Sequence, residues 1–596
     1  MKNVFFVTSL ALMSFQMQSQ VSSSYEISFE NAVHHEAEIQ VTFKNLKKDE
    51  IEFRMSRTSP GRYALHEFMK NAYNVKVTDG SGRILKASRP DPYSWRVTGH
   101  NGVIKVSYTL FANHGDGTYS QVDETHAHLN MPATFMYVPE LRSQGMEVVF
   151  NIRKDLSWKI ATQLKPLENY KYYAPNLQYF MDSPTEISSH DNRSFDVDGQ
   201  EVHLILHHNG SSTEMDDYFE SVKKVVLEQK AVFGELPNFD YENYYFLACY
   251  MPNVTGDGME HRNSTIIPST RSLANGGMTR NIGTVSHEFF HCWNVERIRP
   301  ESLEPFDFEN ANMSGELWFA EGFTSYYTGL ILCRAGLMSE DDYVKGLTRT
   351  YNYVWNSPGR SFFNPIEMSY QAPFVDAARS VDPVNKSNTF ISYYSYGSAL
   401  GLALDLSLRE RGLNLDDYMK LVWEAFGKTE KPYTVKELHD VLTKYTGMAF
   451  ANNFFNNYIY DSKMPEMTAA FENVGVLLNR NNNKLWFGGV VIEGEIMRNT
   501  TMHSPAYNAG LEQGDILISI GDIKLTETLK FNEVLNNFKP NDKVKIIFNR
   551  YGKQKETEIL FSSDPSYVIS TFEAVGKQPT EMQLANRKQW LYTKVD

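Results

Sequence analysis

The stretch Thr284-Val285-Ser286-His287-Glu288-Phe289-Phe290-His291-Cys292-Trp293 constrains this chain more than any other. Val285, Phe289, Cys292 and Trp293 recur at helical spacing and Pro300 stops the run, so it reads as a helix. Two histidines four residues apart on a helix lie one turn above each other, and both imidazoles can then reach a single ion. Glu288, directly after the first histidine, sits where it can take a proton from water on that ion. An HExxH also arises by chance, so its context has to decide.

A catalytic zinc site takes three protein ligands and keeps one position open. Downstream, Glu316-Leu317-Trp318-Phe319-Ala320-Glu321-Gly322-Phe323-Thr324-Ser325-Tyr326-Tyr327 begins a second apolar helix, with Ser314 as its N-cap and Gly336 as its stop. A glutamate on a helix is ordinarily solvated. Glu321 has aromatic neighbours, among which a charge needs a partner, and a cation is the natural one.

HEFFH followed by WFAEGF resembles the gluzincin metallopeptidases. Within them the best fit is the glycyl aminopeptidase family, whose members carry a β-rich N-terminal domain and a C-terminal PDZ domain. The resemblance implies a thermolysin-like, mainly helical zinc peptidase domain. It implies one Zn²⁺ held by His287, His291 and Glu321, with Glu288 as general base. The interval from His291 to Glu321 is longer than in the leucine-type aminopeptidases, which argues against close kinship with those enzymes.

A length of 596 residues accommodates three or four domains. The net charge of -14 disfavours binding to nucleic acid or anionic membranes through bulk electrostatics. Residues 1–20 read as a secretory signal: Lys2, a short apolar run and a polar tail, too short to span a membrane. The expectation is an exported protein, in a bacterial periplasm or outside the cell. Cys249, Cys292 and Cys333 form no disulfide framework, and the last two read as buried, inert thiols.

Residues 21–210 alternate in the manner of strands, with 51–55, 73–77, 103–108, 146–150 and 202–206 as the clearest runs. They read as an antiparallel β-sandwich-like domain. Within it, Ser59-Pro60-Gly61-Arg62-Tyr63 resembles a segment typical of the family's N-terminal domain, and His126-Ala127-His128 invites a second metal site but reads rather as surface or loop histidines, because no third ligand is evident. Residues 211–465 hold the catalytic domain, opening on an amphipathic helix over 213–233 that ends at Gly234. The apolar strand 244–249 then runs into Gly256-Asp257-Gly258-Met259-Glu260. This order resembles the exopeptidase motif of gluzincin aminopeptidases and implies that Glu260 grips the substrate's α-amino group, which a carboxylate suits. The bland alternative is a loop acid balancing His261 or Arg262.

Tyr393-Tyr394-Ser395-Tyr396-Gly397 opens a later helix. The family's tyrosine three residues before a glycine selects Tyr394 as oxyanion donor; its usual lysine before the glycine is Tyr396 here, so Tyr393 and Tyr396 stay open as alternatives. Residues 466–565 resemble a PDZ domain, most clearly at Ser504-Pro505-Ala506-Tyr507-Asn508-Ala509-Gly510-Leu511 and the Gly514-Asp515 turn. Such a domain accepts a peptide C-terminus as an added strand. Leu485-Trp486-Phe487-Gly488-Gly489 is the candidate carboxylate loop, and residues 566–596 are an unassigned tail.

The chain therefore reads as a multidomain α+β protein: a zinc aminopeptidase acting on peptides, with small N-terminal residues favoured by the resemblance. Two rivals are an endopeptidase using the same site and a PDZ peptide-binding protein with a vestigial site.

Overall fold

Alternating residues from Val21 onward pair into sheets in a computed structural model that describes residues 20–377, 384–481, 484–526 and 530–595. The signal expected at residues 1–20 lies, except for Gln20, outside the described residues. The chain divides into two units. One holds residues 1–59, 67–114 and 119–189; the other holds Pro60–His66, Gly115–Thr118 and His190–Asp596.

In the first unit a seven-stranded sheet runs in the order Lys165–Pro166, Lys171–Ala174, Gly145–Asn151, Val21–Ser28, Glu36–Phe43, Ile104–Phe111, Ala72–Asp79. Ile27, Ile39, Val106, Tyr108 and Phe150 are buried, as the period of two requires. Val21–Ser28 and Gly145–Asn151 pair parallel, so the sheet is mixed rather than purely antiparallel. A four-stranded sheet contains His126–Leu129. His126 and His128 are not on the surface or in a loop: both are buried on that strand, 3.8 and 3.5 Å from the Glu186 carboxylate.

The second unit starts earlier than residue 211. Gln200–His208, expected to belong to the first domain, pairs with Asp191–Val197 and runs parallel to Asn243–Tyr250. Local alternation marks a strand but not the sheet it joins. The five-stranded sheet continues through Ser264–Pro268 to Met259–His261 at its edge. The crossover from Gln200–His208 to Asn243–Tyr250 contains the helix Ser212–Phe233. It is started by a capping box between Ser211 and Glu214 and ended by Gly234 at φ 85°. Met215, Tyr218, Val222, Val225 and Val226 form its buried face.

Three helices follow that matter for the site: Met278–Phe290, Leu317–Arg334 and Tyr393–Arg409. The first ends at Phe290 with His291 as its C-cap, ahead of the stop expected at Pro300; turns carry the chain onward. The second is capped at Glu316, not Ser314, whose hydroxyl donates to Glu316 Oε2 at 2.8 Å. Helices Leu317–Arg334 and Tyr393–Arg409 cross with backbones touching at Gly322 and Gly397. A Cβ on Gly397 would lie 1.8 Å from the Trp318 carbonyl oxygen.

Beyond residue 474 a smaller sheet runs Val491–Ile492, Glu495–Ile496, Ile516–Ile520, Lys543–Arg550, Lys553–Leu560, with its own core of Phe487, Ile496, Leu517, Val534, Ile546 and Phe548. The tail is ordered structure: Tyr567–Thr571 pairs with Val476–Arg480, and the helix Glu581–Leu591 buries Trp590 and Leu591. The three cysteines are buried and form no disulfide. Burial pushes the Cys292 and Cys333 thiols up to about 12, so both stay protonated at neutral pH. Among the described residues no helix is long and apolar enough to cross a membrane.

Candidate active site

Strand Met259–His261 and the three helices converge on a cleft of about 360 Å³ lined by His287, Glu288, His291, Glu321, Glu260 and Tyr394, among others. The helix Met278–Phe290 presents His287 and Glu288 and hands His291 over at its end. His287 Nδ1 lies 3.1 Å from the Thr328 hydroxyl and His291 Nδ1 lies 2.6 Å from the Asn294 carbonyl oxygen, which commits both Nε2 atoms to the cleft. Glu321, one turn into its own helix, brings Oε2 to 3.7 Å from His287 Nε2 and 3.3 Å from His291 Nε2. Tetrahedral ligands at zinc distances stand about 3.3 Å from one another, so this donor set fits the ion. Glu321 Oε2 is also buried with no hydrogen-bond donor aligned on it, the signature of an atom awaiting a cation.

The electrostatics are those of an acid-rich pocket. Burial disfavours charge on His291, yet the Glu321, Glu260 and Glu288 carboxylates hold its pKa up at about 10. Burial also works against the Glu321 carboxylate, but His291 and His287 draw its pKa far below the usual range. Burial pushes Glu288 well above it, opposed by His291 and reinforced by Glu260 and Glu321. Glu260 is raised by burial, with His291 opposing and Glu321 adding. A second cluster of potential ligand atoms, from Glu260, Glu288 and His291, adjoins the first through the shared His291.

His287, Glu288, His291, Glu321, Glu260 and Tyr394, singled out from the sequence, all line this cleft. Arg262 pairs with Asp240 at 2.7 Å and Glu430 at 2.8 Å, while His261 is among the groups that oppose the rise of the Glu260 pKa. Of the three tyrosines, Tyr394 lines the cleft, while Tyr393 and Tyr396 are 1% and 0% exposed in the packing behind it. Burial and the nearby Glu321 raise the Tyr394 pKa well above 10, which keeps its phenol a proton donor. Gly258 shows why the turn before Glu260 is glycine-rich: a Cβ there would fall 2.3 Å from Glu288 Oε1.

Sequence reasoning gave no role to Arg62, Tyr63 or Asp257. Arg62 hydrogen-bonds Thr118 and Asp257 at the cleft, and Tyr63 donates to Glu321 Oε1 at 2.8 Å. The motif Ser59-Pro60-Gly61-Arg62-Tyr63 was visible, but no periodicity or spacing connects it to residues 258 positions away.

Two histidines and a glutamate whose ligand atoms converge, with further acids beside them, form a donor set that can hold a metal ion. The comparisons with known proteins agree. Residues 24–189 match the peptidase M61 N-terminal domain, residues 280–400 the M61 glycyl aminopeptidase and residues 474–560 a PDZ domain. The chain belongs to the M61 glycyl aminopeptidase family and carries a PDZ domain.

Among solved structures, an aminopeptidase N family protein from Idiomarina loihiensis shares the fold at a TM-score of 0.80. It is 24% identical and covers 96% of this chain and 100% of its own. An M1 zinc metallopeptidase from Deinococcus radiodurans is more distant, 13% identical with a TM-score of 0.43 over 76% of this chain and 96% of its own. A curated relative, the serine protease Do-like HtrA of Lactococcus lactis, is 25% identical over 151 residues; the match covers 24% of this chain and 36% of that protein. The chain thus spans about a third of that relative's length.

Proposed function

We propose that the protein is a zinc-dependent aminopeptidase. The observation that carries the reading is the position of Glu321 Oε2 opposite two committed imidazole nitrogens, with Glu288 and Glu260 in the same cleft. His287, His291 and Glu321 would hold the ion. Bound zinc supplies Lewis acidity to the scissile carbonyl and makes a water acidic enough to ionise near neutral pH.

Glu288 takes the proton of the attacking water and delivers it to the leaving amine, work that its raised pKa suits. The Tyr394 phenol donates to the oxygen that becomes negative during attack. Glu260, at the sheet edge, grips the α-ammonium and so fixes which bond reaches Glu288. Burial costs that ammonium its hydration, and a charged acceptor restores it. The family resemblance supports small N-terminal residues such as glycine and alanine. The PDZ domain binds peptide, and residues 485–489 are the proposed seat of a peptide C-terminus. The leader-like residues 1–20 support export.

The test is one peptide set in free and N-acetylated forms, incubated with zinc-loaded protein and read by product mass. Loss of single N-terminal residues from free peptides alone is the expected result; internal cuts in both forms would make the protein an endopeptidase. Zinc-loaded protein without cleavage would leave a peptide-binding protein. Glu260→Ala should cost free-amine substrates about 10- to 100-fold in kcat/KM, the weight of one charge-assisted hydrogen bond, and equal losses on blocked ones would remove its role.

A further inference from the structure

A carboxylate has two oxygens, and in Glu321 they have different partners. Oε2 faces the imidazoles, while Oε1 accepts the Tyr63 phenol proton at 2.8 Å. Tyr63 is 4% exposed and comes from Pro60–His66, a segment that belongs to the catalytic unit although it lies far ahead of it in sequence. The segment is seated closely. At Gly61, φ +77°, a Cβ would lie 2.0 Å from Met259 Sδ and 3.2 Å from each Glu260 carboxylate oxygen. The Tyr63 ring stands edge-on to Tyr393, 6.0 Å away at 87°, and Tyr393 stacks on Tyr394 at 4.9 Å.

The geometry points to Tyr63 as the positioning residue of the metal site: its phenol holds Glu321 Oε1 so that Oε2 alone is presented to the cation. This rests on the reading of His287, His291 and Glu321 as ligands. The physical reason lies in the last torsion of a glutamate, which has broad wells rather than sharp rotamers. Unrestrained, the carboxylate could turn and offer both oxygens, filling the position that a catalytic site keeps for water. A hydrogen bond to one oxygen fixes the plane of the group, and partners behind ligands tune affinity and orientation in this way. Through Tyr393 the same ring braces Tyr394, so one side chain sets the ligand and steadies the oxyanion donor.

The test is Tyr63→Phe, which keeps the ring against Tyr393 and removes only the hydroxyl. The zinc dissociation constant, measured by competition with a chromophoric chelator, should rise about 10- to 100-fold. The visible spectrum of the Co²⁺-substituted protein should shift as the carboxylate changes its mode of binding. With zinc saturating, kcat should fall while KM holds. Wild-type zinc affinity and an unchanged cobalt spectrum in the variant would overturn the proposal. So would an equal drop in melting temperature of the metal-free and metal-loaded proteins with affinity intact, which would make Tyr63 a packing residue. A wild-type protein that takes up no zinc would instead overturn the ligand assignment on which the proposal stands.

Discussion

At the scale of single residues, the cleft holds three buried acids whose environments differ. Glu321 is drawn down by two imidazoles, and Glu288 is pushed up by burial and by its acidic neighbours. That separation matches one carboxylate acting as a permanent anion and another exchanging a proton. Replacing Glu288 with Gln removes the proposed proton acceptor and leaves the proposed ligands. Zinc content should stay at one per chain while kcat falls about 10²- to 10⁴-fold, the usual weight of a general base. Metal analysis beside steady-state kinetics checks both halves, and retained turnover would sink the assignment.

Between elements, the site depends on how closely two helices approach. Gly322 and Gly397 let the Glu321 helix and the Tyr394 helix touch backbone to backbone. Gly397→Ala puts a methyl 1.8 Å from the Trp318 carbonyl oxygen, where backbone must move. A destabilisation of about 1–3 kcal/mol is expected from such overpacking, measured by urea unfolding, with activity lost beyond what stability explains because Glu321 and Tyr394 shift together. The far end of the Glu321 helix is tied by Arg334, whose guanidinium lies 3.0 Å from Asp416, a carboxylate that also accepts from Tyr327 Oη at 2.8 Å.

Burial opposes ionisation of Asp416, but Arg334 and Arg409 more than offset it and lower its pKa. A depressed pKa in the folded state means stability that is present above the unfolded value, about 3.9, and is lost as pH falls through the folded one. Asp416→Asn should therefore cost about 3–5 kcal/mol at pH 7, leaving Arg334 buried without its counter-charge. Unfolding curves of the two proteins should converge below about pH 4. A gap that stays constant into acid would refute the linkage.

For the whole molecule, the chain leaves the catalytic fold for the PDZ domain and then returns. Asn388 Nδ2 donates to the Thr500 carbonyl oxygen at 3.0 Å and Asn388 Oδ1 accepts from Met502 N at 2.7 Å, tying the two parts. The helix Glu581–Leu591 brings Trp590 Nε1 to 2.9 Å from Tyr326 Oη, and Trp590 O accepts from Arg334 Nε at 3.0 Å. The tail therefore backs the helix that carries Glu321. Trp590→Ala should destabilise the catalytic part by about 3–5 kcal/mol, the range for truncating a buried tryptophan. Chemical denaturation followed by peptidase activity reads this. An unchanged midpoint would mean that the tail is an appendage.

By itself the sequence determined what local chemistry can encode. The spacing of His287 and His291 put two imidazoles on one turn, the run after Leu317 made a helix, and turn residues bounded the PDZ strands, since each follows from neighbours a few positions apart. The resemblance pointed to Glu321, Glu260 and Tyr394, and the structure gathers all three into the cleft. Only tertiary structure decided that Gln200–His208 joins the catalytic sheet, that His126 and His128 are buried beside Glu186, and that the tail packs behind the Glu321 helix. Tyr63 belongs to the same group. Its contact with Glu321 spans 258 residues, and a pairing across that distance leaves no period or motif in a chain, because packing of the folded chain, and nothing local, brings the two together.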